Sequence, residues 1–171
     1  MKKILIIIAN FMLCISCQND TSENIILTSG LSSNPSTPRF GIEINSKYMY
    51  YCEEKLKEKG KYNYFQGEMN PQIFKDIQSN LILVFDNTNE SEDINDATRY
   101  ELIYKNNSDM DTVRFYKYFL NNKQLNVLEK IELLKKSEFK KISYHQFPNA
   151  LLTYKLPTPP PLILQRKKEL E

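Results

Sequence analysis

The chain has 171 residues, 41% of them apolar and 26% charged, and a formal charge of +2. That length supplies one domain with room for a hydrophobic core, and no second large one. Lys2 and Lys3 account for the whole positive excess, so the remainder is near neutral and lacks the concentrated basic face of a nucleic-acid binder.

Met1-Lys2-Lys3 is followed by an apolar run from Ile4 to Ile15, too short to span a bilayer as a helix, which closes on Leu13-Cys14-Ile15-Ser16-Cys17. A positive start, a short apolar stretch and a small residue before a cysteine resemble the lipobox of bacterial lipoproteins. There, signal peptidase II cuts before a cysteine that has received a diacylglycerol. The usual aliphatic residue three places before the cysteine is replaced here by Cys14, with Leu13 one step earlier. The chain thus resembles the small lipoproteins of Gram-negative bacteria over its signal peptide alone. The resemblance implies a lipid-bearing, palmitate-carrying Cys17 as mature N-terminus and a place outside the cytoplasm. Gln18 stands where an aspartate retains many lipoproteins in the inner membrane, which implies the outer membrane, on its periplasmic side or at the cell surface. An ordinary secretory signal and an uncleaved anchor are the alternatives.

Residues 17–38 are rich in Ser, Thr, Asn and Pro and read as the lipidated cysteine with a flexible tether; the patch Ile25-Ile26-Leu27 is alternatively an edge strand. From Arg39 the pattern becomes periodic. Phe40, Ile42 and Ile44 alternate with polar or small residues, Asn45-Ser46-Lys47 forms a turn, and 48–54 returns as a second strand. A charged connection leads to a third strand over 61–66, which Gly67 ends. Asn70-Pro71 opens a helix over 71–85, with Ile73, Ile77, Leu81 and Val84 on one stripe. An acidic loop over 86–97 precedes a second hairpin, with strands around 100–104 and 112–119 and a turn at 106–109. Asn121 or Asn122 caps a last helix carrying Leu125, Leu128, Ile131 and Leu134. Further strands are expected at 142–144 and 150–154. Residues 156–171 form a Pro-rich extended tail.

The expected architecture is α+β: an antiparallel sheet of four or five strands with two helices on one face, as one domain over 39–155. Both halves open on Arg-aromatic and close on a helix, which suggests a duplicated strand-strand-helix unit.

Chemistry-bearing motifs are sparse. Four glycines make no phosphate loop, and no paired cysteines or His-Glu-x-x-His suggest a metal, so no cofactor and no metal are expected. The acidic loop departs from the EF-hand pattern at Thr88, Ser91 and Ala97. Cys52 is the only cysteine left in the folded part. It is either buried in its strand or open to a partner, and the one histidine, His145, lies far along the chain. The eleven tyrosines cluster in the strands, and Tyr51, Arg114, Tyr116 and Tyr118 are candidates for an open, partner-binding sheet face. Asp111-Thr112-Val113 resembles a short O-glycosylation pattern of exported bacterial proteins, with Thr112 as acceptor. Together these features suggest a membrane-tethered, non-enzymatic module for a protein or envelope glycan, with no nucleic-acid partner. An immunity protein against an imported toxin is one alternative. An envelope hydrolase working through Glu53, Glu54, Glu101 or His145 is the other.

Overall fold

The computed structural model of the chain describes residues 23–30, 34, 36–86, 97–147 and 152. The signal segment with Cys17, the acidic stretch 87–96, most of the strand expected at 150–154 and the Pro-rich tail lie outside these residues. The chain forms strands β1 (Asn24–Ser29), β2 (Phe40–Ile44), β3 (Tyr48–Glu54) and β4 (Tyr62–Glu68). Helices α1 (Pro71–Asn80) and α2 (Ile82–Phe85) follow, then β5 (Arg99–Asn106), β6 (Asp109–Tyr116), α3 (Asn122–Leu133) and β7 (Lys140–Ile142). Short 3-10 turns at Lys117–Phe119 and Leu134–Lys136 bracket α3.

The fold is α+β, as expected, but its sheet has seven strands rather than four or five, all antiparallel, in the order β6-β5-β1-β2-β3-β4-β7. The largest correction falls on the tether. Residues 24–29 are neither flexible linker nor edge strand but an interior strand, third of the seven, pairing with β2 on one side and β5 on the other. The reason lies in Ile25, Ile26 and Leu27, three consecutive apolar residues that point alternately to both faces. Only a position covered on both sides buries them all, and they are 0%, 1% and 0% exposed.

The three helices cover one face. Ile25, Leu27, Ile42, Ile44, Met49, Leu102 and Phe115 from the sheet meet Phe74, Ile77, Leu81 and Val84 from α1–α2 and Val127, Leu128 and Ile131 from α3. Asn70 caps α1 by accepting from the Gln72 and Ile73 amides, with Pro71 at the first turn where its missing N–H costs nothing. Asn121 caps α3 in a reciprocal box, its side chain accepting from the Gln124 amide while its own amide donates to Gln124 Oε1. The end of the second hairpin differs from expectation: residues 117–119 leave the strand as a 3-10 turn.

The second sheet face is also covered in its middle. Ile26, Thr28, Cys52 and Ile103 are buried there. The segment after β7 crosses it: the His145 ring stacks on Tyr50 with centroids 3.8 Å apart, and a Cβ added to Gly41 would sit 3.0 Å from Phe147. Tyr62 donates its hydroxyl to the Leu152 carbonyl at 2.7 Å. This strap replaces the open tyrosine face expected from the sequence.

Candidate functional site

A groove of about 890 Å³ runs between the N-terminal turn of α1, the β3–β4 hairpin and the approach to β7. Its walls are assembled from three separate stretches. The β2–β3 turn brings Tyr48 and Met49, and Met69 is fastened there because its amide donates to the Lys47 carbonyl at 3.0 Å. The helix start contributes Asn70 and Ile73, and the chain entering β7 contributes Glu138, Phe139, Lys140 and Lys141. Gly67 makes the third contact possible. A Cβ there would lie 2.7 Å from the Glu138 carbonyl oxygen, so only glycine lets residues 137–139 lie against β4. Gly67 therefore does not end the third strand as its sequence suggested; it sits inside β4, opposite Met49.

The lining alternates apolar and charged groups. Tyr48 and Ile73 are 43% and 44% exposed, large values for side chains of their kind facing a concavity. Lys140 and Lys141 stand opposite Glu68 and Glu138 in charge. Such a surface offers aromatic and aliphatic contact area with polar groups at its margins, the composition of a ligand or peptide cleft. Sequence reading missed it because β7 is only three residues long and meets β4 from more than seventy positions away. The one available signal was a glycine in the middle of an aromatic strand, which marks a close backbone approach.

The tyrosine-face residues are dispersed. Tyr51 points to the helix side, against Phe65 and Phe139 at 5.7 Å each, and burial raises its hydroxyl far above the usual tyrosine range. Arg114 lies on the other side of the sheet, where its Nε donates to the buried Glu101 carboxylate. Tyr116 is buried, edge-on to Phe119. Tyr118, in the 3-10 turn, is 86% exposed. No single face holds the four. Thr112 is exposed on the edge strand β6.

The candidate hydrolytic carboxylates are engaged elsewhere. Glu54, almost fully buried, is held by a fork from Arg39, Nε at 3.1 Å and a terminal nitrogen at 2.5 Å, and by the Gly60 amide at 2.6 Å. Burial pushes its carboxyl up, but the Arg39 bond, the Gly60 amide and the charges of Arg39 and Lys59 outweigh that and hold it below the usual range. Glu101 is closed by Arg114. His145 bonds Glu43 at 2.9 Å beneath the strap, not Glu53, Glu54 or Glu101. Cys52 is fully buried, and burial lifts its thiol to about 12. Among the described residues no group of three or more His, Cys, Asp or Glu could hold a metal, and no helix is long and apolar enough to cross a membrane.

Comparison with models of known protein families gives no match, and no curated protein is similar to the chain in sequence.

Proposed function

We propose that the chain is a lipid-anchored envelope protein, held at the outer membrane through acylated Cys17, whose domain is a non-enzymatic module binding a protein segment or an envelope glycan in the groove. The observation that carries the binding role is the groove itself, about 890 Å³ in volume and lined by exposed Tyr48 and Ile73 together with charged side chains. The locking of Glu54 and Glu101 by guanidinium groups supports binding over carboxylate hydrolysis. The anchor rests on the Leu13–Cys17 segment. In the same reading, the halves on either side of β1, β2-β3-β4-α1 and β5-β6-α3, derive from one duplicated strand-strand-helix unit to which the first has added a strand, and exposed Thr112 is an acceptor for sugar.

Two experiments test the two parts. Growth with a palmitate analogue labels the wild-type chain and leaves Cys17→Ala unlabelled; an unlabelled wild type overturns the anchor. For the groove, a photo-crosslinking residue is placed at Ile73 or at exposed Leu56, and cells and isolated peptidoglycan sacculi are irradiated. Adducts are expected at position 73 and not at 56, and are expected to fall at least tenfold with Tyr48→Ala. Equal yields at both positions, or yields indifferent to Tyr48, overturn the groove as the site.

A further inference from the structure

The position of β1 fixes which end of the domain meets the membrane. Resting on the lipid-anchored reading, we infer that the end of the sheet where β1 begins docks onto the bilayer, and that the end carrying Tyr118 and Leu56 projects away from it.

Asn24, the first residue of β1, is seven residues beyond Cys17. Whatever conformation those seven take, their span is at most about 25 Å. From Asn24 the strand continues to Ser29, about 17 Å further along the chain at strand rise. For the far end of the sheet to touch the surface, the linker would have to double back along that length, using most of its contour. The near end needs no such reversal. Because β1 is an interior strand, with β5 and β6 on one side of it and β2, β3, β4 and β7 on the other, the attachment point lies in the body of the sheet rather than at its edge.

Strand register defines the near end. Ile25 pairs with Ile44, so the β2–β3 turn with Lys47 and Tyr48 is there. Tyr48 pairs with Glu68, which brings the start of α1 and Ile73. Asn24 pairs with Lys105, and Lys105 with Met110, which brings the tip of the β5–β6 hairpin. Exposed Tyr48, Ile73 and Met110, at 43%, 44% and 62%, thus share this end with Lys47 and Lys105 and with the exposed carboxylates of Glu68 and Asp109. Aromatic and aliphatic groups beside lysines suit an interface where apolar bodies enter the headgroup layer and ammonium groups meet lipid phosphates. The far end exposes Leu56, Tyr118 and Phe119. The Tyr48–Ile73 rim of the groove then lies at the membrane-facing end of the domain.

The test uses the lipidated full chain in vesicles of phosphatidylethanolamine and phosphatidylglycerol containing spin-labelled lipid. Single cysteines at Met110, Lys105, Leu56 or Tyr118 carry a fluorophore; native Cys52 is fully buried and does not compete. Quenching at 110 and 105 is expected to exceed that at 56 and 118 by about threefold or more. Inserting twenty Gly/Ser residues after Gln18 should bring the ratio toward one. Equal or reversed quenching in material proven to carry palmitate overturns the orientation while leaving the anchor standing. Material without palmitate overturns both.

Discussion

Arg39 and Glu54 illustrate how one pair of residues sets a stability limit. Both side chains are nearly excluded from solvent, so each charge depends on the other for its cost of burial. Glu54→Gln should destabilise the domain by about 3 kcal/mol in denaturant unfolding at pH 7, because it removes the Glu54 charge from its fork with the buried Arg39 guanidinium. The sign of the pH dependence follows from a native carboxyl held below its ordinary value. The contribution of Glu54 is complete above about pH 4.3, the value of an unfolded glutamate, and is lost as pH falls through the lower native value. Wild type should therefore lose stability on acidification more steeply than Glu54→Gln, measured between pH 6 and pH 3. Gly67 sets a steric limit instead. Gly67→Ala drives a Cβ toward the Glu138 carbonyl and should loosen β7, seen as faster amide exchange at Lys140–Ile142 and an overall cost of about 1 to 3 kcal/mol. The helix caps Asn70 and Asn121 were legible in the sequence because their partners lie two or three residues away. The role of Gly67 was not, because its partner is Glu138.

At the scale of elements, the legible ones have local causes. The β2–β3 hairpin falls where alternation and the Asn45 turn put it, Asn45 Oδ1 accepting from the amides of Lys47 and Tyr48. The helices follow stripes of apolar residues. Two elements escaped. β1 is short, sits among turn-forming residues, and owes its structure to neighbours thirteen or more positions away. The strap over the second face has no periodicity at all and is held by His145 on Tyr50 and Glu43 and by Phe147 near Gly41 and Cys52. Leu27→Ala should cost about 2 to 5 kcal/mol, as expected for a fully buried leucine, whereas Leu56→Ala at an exposed position should change stability by less than about 0.5 kcal/mol. Phe147→Ala should uncover the Cys52 thiol, raising its rate of reaction with a disulfide reagent at pH 8 by tenfold or more; an unchanged rate would show that other residues seal that face.

For the whole molecule, the position of β1 moves the domain boundary. A chain beginning at residue 39, where the periodic pattern starts, lacks the strand that joins β2 to β5 and leaves both with an open edge. It should be unfolded or aggregated by circular dichroism and gel filtration, whereas a chain beginning at residue 18 should give a cooperative transition. The fold class was legible because alternating strands and striped helices reveal layers, but the order of strands was not, since nothing local records which edges meet.

That order also governs when the protein can assemble. The first strand to leave the ribosome is the one whose second neighbour, β5, is made some seventy residues later, so the sheet cannot close around it until then. Through that interval β1 keeps one edge open, and the wait for a distant partner should make it one of the last strands to be locked in place.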